Sequence, residues 1–304
     1  MSKLSIIIVT YNSENLIGSC LDSIFKTAGG LELEVIIIDN NSQDDAVNVV
    51  KTRFPQARLI ENKENVGFAR AVNQGIKMSQ GEFVLLLNPD MRVLDKAIKS
   101  SLEFLETNPK VGILGAQLLY PKTLKVQPSF GRFPSVFTEF LQAFGLHKIL
   151  PWGRFIPKNI FSFWKFKKIC RVDWLGGGFM MVKKEVFDKV GLLDEKFFMY
   201  LEDIDFCYRA KQVGFEVYYF PKAKVIHHHM ASAKKDLSKP IIYEAKSLIY
   251  YFKKYSKNVG FLKFLIWLRL GIRILGYFSL SLFNRQYKDI FSAYSKAKKE
   301  LINL

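Results

Sequence analysis

Gly81-Glu82-Phe83-Val84-Leu85-Leu86-Leu87-Asn88-Pro89-Asp90 is the stretch that decides the fold. Residues 83–87 are an unbroken apolar run, too short for a globular helix. They predict a central strand buried on both faces of a parallel sheet. Pro89 has no N–H for a ladder, so the strand should stop there and present Asn88 and Asp90 at its carboxyl end. Open α/β sheets bind ligands at that end. A carboxylate there suits a hard divalent cation carrying a diphosphate. Taken alone, the same residues also fit a strand-ending turn with Asp90 as a helix cap.

The unit recurs on either side. Residues 4–10 are apolar and β-branched and end in Tyr11-Asn12-Ser13, with Ser13 placed to cap a helix from Glu14. Residues 34–39 repeat the strand and end in Asp39-Asn40-Asn41-Ser42, followed by a short helix over about 44–53. A third strand over 57–61, the loop-to-helix stretch from Asn65 to Gly75, a helix over 95–106 and an apolar run over 111–118 complete the alternation. Repeated strand–helix units predict a parallel sheet wound with helices. No G-x-G-x-x-G follows the first strand and no G-x-x-x-x-G-K-[ST] occurs, which weighs against dinucleotide oxidoreductases and P-loop NTPases.

Composition narrows the class. At 304 residues and 49% hydrophobic, the chain has enough material for one large α/β domain with appendages. Cys20, Cys170 and Cys207 are scattered, with no metal or redox spacing, which fits a reducing compartment. The run over 4–9 lacks a basic leader and a small-residue cleavage site, and so reads as a strand and not a signal peptide. The net charge of +17 is concentrated in two places. Residues 121–172 hold 10 Lys/Arg against Glu139 alone, and residues 233–304 hold 15 against 4 acids. Both segments are also aromatic, which points to an anionic membrane surface rather than nucleic acid.

Residues 119–172, broken by Pro121, Pro128, Pro134, Pro151 and Pro157, read as an insert over the sheet, facing a membrane or lining an acceptor channel. Regular structure resumes at Val172, and Gly176-Gly177-Gly178 beside an apolar strand would allow backbone to approach a ligand closely. Three acids, Glu202, Asp203 and Asp205, crowd the first turn of a helix running to about Val213, where the macrodipole favours them. Asp205 and Arg209 are spaced to pair. Asp203 shares a face with Phe206 and Ala210, so it is expected to point inward, without a basic partner, as a general-base candidate. Val225-Ile226 then leads into His227-His228-His229, read either as surface histidines or as metal ligands.

Taken in order, Ile8-Val9-Thr10-Tyr11-Asn12, Ile38-Asp39-Asn40-Asn41-Ser42, Asn65-Val66-Gly67-Phe68-Ala69, Leu87-Asn88-Pro89-Asp90, Gly177-Gly178-Phe179, Glu202-Asp203 and His227 resemble the family 2 glycosyltransferases of GT-A fold. The likeness is greatest to the bacterial rhamnosyltransferase branch that builds cell-envelope polysaccharides, and it covers about residues 4–232. Residues 233–304 lie outside it and read from their own pattern as a C-terminal basic amphipathic helical extension; the resemblance implies an α/β, GT-A type, Rossmann-like, mostly parallel sheet flanked by helices over 1–232. It implies that Thr10, Tyr11, Asn12 and Asp39 hold the base and ribose of a nucleotide-sugar, with Asn65, Gly67 and Arg70 near the nucleotide. Asn88-Pro89-Asp90 stands where the family carries D-x-D, its first acid replaced by Asn88. Asp90 would then be the metal ligand for Mn²⁺ or Mg²⁺, completed by His227, and Asn88 a sugar or water contact. Asp203 matches the catalytic base, and Gly177, Gly178 and Glu202 would border the acceptor or sugar. The donor would be a dTDP- or UDP-sugar, with rhamnose suggested by the branch. The acceptor would be a polyprenyl-linked or growing glycan at the cytoplasmic face of the membrane, and nucleic acid is not expected. One base and no second nucleophilic carboxylate favour a single inverting displacement.

Residues 261–283 are the most apolar segment but carry Lys263, Arg269 and Arg273, which would be costly at the centre of a bilayer. With Tyr277 and Ser281 these fall within an arc of about 120°. An interfacial helix lying on a membrane is expected, with a packed core helix as the alternative. Two rival functions remain at this level. One is a nucleotidyltransferase, disfavoured because Thr10-Tyr11-Asn12-Ser13-Glu14 is not a glycine- and arginine-rich phosphate loop. The other is a non-catalytic membrane or polyanion binder that has kept the fold; the presence of Asp90 and Asp203 weighs against it.

Overall fold

Leu4–Thr10 forms the first strand, β1, buried along its whole length, and helix α1 follows at Glu14–Thr27. The computed structural model describes residues 3–27, 29–144, 165–228, 236–256, 259–285 and 287–301. These fall into two compact units.

The larger unit comprises residues 1–133, 161–198 and 202–232. After α1 come β2 (Leu33–Asp39), α2 (Ala46–Arg53), β3 (Arg58–Glu61), α3 (Phe68–Met78), β4 (Phe83–Leu87), β5 (Met91–Val93), α4 (Ala97–Thr107) and β6 (Val111–Leu119). Two short strands, β7 (Val126–Gln127) and β8 (Phe130–Gly131), precede the helix α5 (Val136–Ala143) of the other unit. The larger unit resumes with β9 (Cys170–Arg171), β10 (Trp174–Leu175), β11 (Phe179–Lys183), α6 (Lys184–Val190), α7 (Glu202–Gln212) and β12 (Glu216–His227). The main sheet runs β3-β2-β1-β4-β11-β6-β12-β5, with β7 on β6 and β9 on β12, while β8 and β10 pair separately.

The expected central strand is β4, with Val84 and Leu85 fully buried. Side chains alternate across the sheet: Ile6, Ile8, Leu85 and Leu87 join the core on one face, and Ile7, Val9, Val84 and Leu86 the core on the other. Burial of each such side chain contributes about 1.5–3 kcal/mol. Parallel pairing of β1, β2, β3 and β4 is as the alternation implied. The sheet departs from that pattern at β11, which inserts antiparallel between β4 and β6. An apolar run carries no direction in its own pattern, so the β11 pairing was not readable locally. Ser13 does not act as expected either: its hydroxyl donates to the Tyr11 carbonyl at 3.2 Å, and Asp44 Oδ2 accepts the Glu14 N–H at 2.9 Å.

The smaller unit comprises residues 134–160, 199–201 and 233–304. It takes in part of the region read as an insert, and its C-terminal stretch begins at residue 233, directly after the larger unit ends. The rest of that region is not simply laid over the sheet, because β7 and β9 extend it; residues 145–164 lie outside the described residues. Ser135 and Thr138 cap α5 reciprocally, Ser135 Oγ accepting the Thr138 N–H at 3.2 Å and Thr138 Oγ1 the Ser135 N–H at 2.9 Å. Three helices follow, α8 (Ser238–Tyr255), α9 (Val259–Phe283) and α10 (Tyr287–Leu301), with α9 packed on α5, α8 and α10. Asp236 accepts from Ser238 and from Lys296 at 2.9 Å, tying the start of α8 to α10. Ser238 first and Lys296 second hold its carboxyl well below the usual range.

The polar arc of α9 bonds to neighbouring helices, with Arg273 itself exposed. Arg269 is buried and lies 3.4 Å from Glu139 of α5. Arg273 donates to the Tyr294 hydroxyl, and the Tyr277 ring stacks on Tyr294 at 5.5 Å. Among the described residues no helix is long and apolar enough to cross a membrane.

Candidate functional site

The site begins where parallel strands end. Thr10 and Asp39 are register partners at the carboxyl ends of β1 and β2, and the Asn40 N–H donates to the Thr10 carbonyl at 2.9 Å. Asp39 is 2% exposed, and Ser42 donates to it twice, from its N–H at 2.9 Å and its hydroxyl at 2.5 Å. Asn12, at φ 52°, joins the same knot: its N–H donates to Ser42 Oγ at 2.9 Å and its Oδ1 accepts the Gln43 N–H at 2.8 Å. Tyr11, between Thr10 and Asn12, is 41% exposed, an aromatic ring offered beside a buried carboxylate.

Asn40 and Asn62 carry this network to the next loop. Asn40 Nδ2 donates to the Gly67 carbonyl at 3.2 Å, and Asn62 Nδ2 to Asn40 Oδ1 at 2.9 Å. Gly67 N–H donates to Asn65 Oδ1 at 3.0 Å. Gly67 sits at φ +87°, and a Cβ there would lie 2.8 Å from the Phe198 carbonyl oxygen, so glycine is required on both counts. Phe68 N–H donates to that carbonyl at 2.7 Å. One turn on, Arg70 Nε donates to Glu195 Oε2 at 3.0 Å, and buried Asn73 bonds both the carbonyl and the N–H of Leu193. Helix α3 therefore clamps the segment that leads towards Asp203.

Asp203 opens α7 half-buried, its Oδ2 accepting the Gly177 N–H and its Oδ1 the Ile204 N–H, each at 2.8 Å. Full burial falls to its neighbours, Asp205 at 0% exposed and Glu202 at 5%. Asp203 shares its face with the fully buried Phe206 and Ala210, as its spacing implied, but is itself only half-buried, with a backbone N–H on each carboxylate oxygen. Asp205 pairs with Arg209 at 2.8 Å as its spacing implied. Tyr200 and Leu201 both have positive φ, 69° and 65°, just before this turn. Two successive non-glycine residues in that region are strained, a feature that clusters at functional sites.

Gly177 and Gly178 link this carboxylate to the end of β4. Gly178 accepts the Asn88 N–H on its carbonyl at 3.1 Å, while Gly177 holds Asp203. The Gly178 Cα packs under Met91, whose Cε would overlap any added Cβ. Its missing side chain admits Met91. Beyond it, Asp90 Oδ2 lies 3.3 Å from His227 Nε2, and both side chains are about 15% exposed or less. His227 Nδ1 is 2.6 Å from Gln127 Oε1. That amide orientation is supported by Gln127 Nε2, which donates to the His227 carbonyl at 3.5 Å. With Nδ1 protonated, Nε2 meets the Asp90 carboxylate either as an imidazolium N–H or as a lone pair that needs a cation between them. His228 contributes its backbone N–H to the Asp90 carbonyl at 3.0 Å, and His229 lies outside the described residues.

Buried side-chain polar atoms without a hydrogen-bond partner concentrate here. Among the described residues these atoms are Thr10 Oγ1, Asn88 Oδ1, Asp90 Oδ1, Glu202 Oε2 and Ser129 Oγ. Four of those five atoms belong to residues singled out from the sequence, and buried polar atoms without a protein partner are where a ligand, ion or water can be accepted. Asp90 and His227 are an oxygen and a nitrogen donor that suit Mn²⁺ or Mg²⁺. No third His, Cys, Asp or Glu completes a protein-only cluster among the described residues. Gln127, Asn73 and Ser42 organise the site and were not singled out as site residues. Asn73 and Ser42 stand inside quoted motifs, whereas nothing local marks Gln127.

Glu202 carries a testable electrostatic cost. Burial first, and then the Asp203 charge next to it, push its carboxyl well above the ordinary range. The folded state then binds the proton more tightly than the unfolded one. Stability is full below the unfolded value near 4.5 and is lost as pH rises towards the raised folded value. Glu202→Gln is therefore expected to leave Tm unchanged at pH 4 and raise it at pH 8, by about 2–4 °C for each kcal/mol recovered. Equal shifts at both pH values would remove the electrostatic explanation.

Residues 5–191 match the sequence model described as Glycosyl transferase family 2. An N-acetylglucosaminyl-diphospho-decaprenol L-rhamnosyltransferase of Mycobacterium tuberculosis (strain ATCC 25618 / H37Rv) is 29% identical over 249 residues, 77% of this chain and 78% of its own length. Rhamnosyltransferase WbbL of Escherichia coli (strain K12) is 28% identical over 185 residues, covering 59% of this chain and 65% of its own. Among solved structures, a mannosyltransferase from Pyrobaculum calidifontis in complex with GDP-Man and Mn²⁺ superposes with TM-score 0.58 at 16% identity. That match covers 97% of this chain and 85% of the other. At that identity the likeness speaks for the fold, which is GT-A.

Proposed function

Because the chain belongs to glycosyl transferase family 2, and is thus a glycosyltransferase, we propose that it is an inverting, metal-dependent enzyme that moves rhamnose or a related hexose from a dTDP- or UDP-sugar. The acceptor in this reading is a lipid-linked or growing cell-surface glycan, reached peripherally at the cytoplasmic face of the membrane. The similarity to rhamnosyltransferases, one of them acting on a decaprenol-linked sugar by its name, supports the choice of donor and acceptor.

One observation carries the reading. Two carboxylates far apart in sequence, Asp90 and Asp203, are tied to one another through adjacent glycines, Gly178 on the Asn88 backbone and Gly177 on Asp203. Thr10, Tyr11, Asn12 and Asp39, with Asn65, Gly67 and Arg70, would receive the nucleoside. The orphaned Asn88 Oδ1 would contact the sugar or its hydration. Asp90 and His227 would hold the divalent ion, which when bound neutralises the charge of the departing diphosphate. Gln127 orients His227 for that task.

Asp203, fixed by two backbone N–H groups, takes the proton of the acceptor hydroxyl. Glu202 and the two glycines support Asp203 and border the acceptor. The absence of a second nucleophilic carboxylate from the proposed set favours one displacement with inversion.

Release of nucleoside diphosphate from a panel of dTDP- and UDP-sugars, with Mn²⁺ or Mg²⁺ and with a chelator, tests this directly. One donor should be turned over, and only with metal. Turnover undiminished by chelator would remove the metal from the mechanism. No turnover of any donor, with or without a polyprenyl-linked acceptor, would favour the non-catalytic alternative.

A further inference from the structure

Helix α9 turns its apolar side outward. Phe261, Phe264, Trp267, Ile272, Leu275, Phe278, Leu282 and Phe283 are each at least 41% exposed. At 100° per residue they share an arc of about 160° centred opposite the arc of Lys263, Arg269 and Arg273, with Leu280, 45% exposed, falling outside it. An apolar stripe of this size on a soluble surface marks an interaction site. We infer that this outward face of α9 is the surface with which the chain lies on an anionic lipid bilayer.

Three features of the unit select that occupant. The cations that would resist insertion are turned to the other side: Arg269 is buried against Glu139, and Arg273 is engaged with Tyr294 of α10. Lys298 Nζ stands beside the stripe, 3.8 Å above the Trp267 ring, and Lys288 and Lys299 are exposed on the same helix, α10. Residues 233–304 carry 15 Lys/Arg against 4 acids, so docking two copies face to face would bring like charges together, whereas anionic headgroups complement them. Among the described residues no helix is long and apolar enough to cross a membrane, and the proposal accordingly lays α9 along the interface. The inference extends the peripheral localisation proposed above by naming its surface, and it does not depend on the donor or the reaction.

Flotation of the full chain with vesicles of neutral lipid alone, or with added phosphatidylglycerol, tests it. Wild type should float with the anionic vesicles and be released by high salt. Leu275→Ser/Phe278→Ser/Phe283→Ser should reduce partitioning by about tenfold or more while leaving Tm and donor turnover in solution unchanged. Lys288→Glu/Lys299→Glu should reduce it by at least about fivefold per site. Equal partitioning of wild type and the triple variant would overturn the surface while sparing the localisation. No binding of wild type to any vesicle would overturn both, with glycosyl transfer still read separately by nucleotide release. A change from dimer to monomer in the triple variant, without vesicle binding by wild type, would assign the stripe to a second copy instead.

Discussion

Asp203→Asn is expected to lower kcat by ~10²–10⁴-fold while leaving donor affinity within a small factor of wild type. The expected split follows from position. Asp203 is held by the Gly177 and Ile204 N–H groups, away from the Thr10–Asp39 strand ends proposed for the nucleoside. Asparagine keeps the shape but provides one acceptor oxygen in place of two, so one of those N–H groups would face an amide NH₂. A thermal melt should therefore accompany the kinetics, to separate a loosened α7 from a missing base. The substitution also removes the neighbouring charge that, after burial, raises the Glu202 carboxyl. The pH-dependent destabilisation assigned to Glu202 should consequently shrink in this variant. A wild-type kcat with an unchanged product would transfer the role of base to another group. Product of retained anomeric configuration would sink the single-displacement reading even if the rate fell.

Much of this site was legible because strand ends are local features. The run Phe83–Leu87 and the proline after it identify a buried strand and its exit, and the structure keeps both. Thr10 and Asp39 could be aligned because parallel neighbours end together. What escaped depends on partners distant in sequence. Gly178 is small for Met91, 87 positions away, and a glycine run does not say whether ligand or protein fills the space. The periodicity of α9 grouped Arg269 with Arg273 correctly, yet the face that turns inward is decided by Glu139, 130 residues earlier, which the helix pattern does not contain. Asp203 was placed on the face of Phe206 and Ala210 from a helical wheel, whereas the Gly177 N–H that meets its carboxylate comes from 26 residues earlier and is not in that pattern. Local pattern gives the residues that share a face; long-range packing chooses which face is covered.

Asp90→Ala is expected to have the second large effect, on metal-dependent nucleotide binding rather than on proton transfer. Mn²⁺ affinity measured by electron paramagnetic resonance, with nucleoside diphosphate present, should fall furthest for Asp90→Ala and next for His227→Ala. Gln127→Leu, which touches neither ion nor nucleotide in the proposed arrangement, should still cost about 10–100-fold, because it releases the imidazole that Oε1 holds at 2.6 Å. The ordering separates two accounts of the 3.3 Å contact between Asp90 and His227. If the pair is a cation site, all three substitutions weaken Mn²⁺ binding, and excess metal partly rescues Gln127→Leu. If it is a structural ion pair between imidazolium and carboxylate, Mn²⁺ binding is indifferent to all three and the loss appears in Tm instead. The orphaned, buried Asp90 Oδ1 favours the first account, since a structural pair leaves that oxygen unsatisfied whereas an ion carrying a diphosphate gives it a partner.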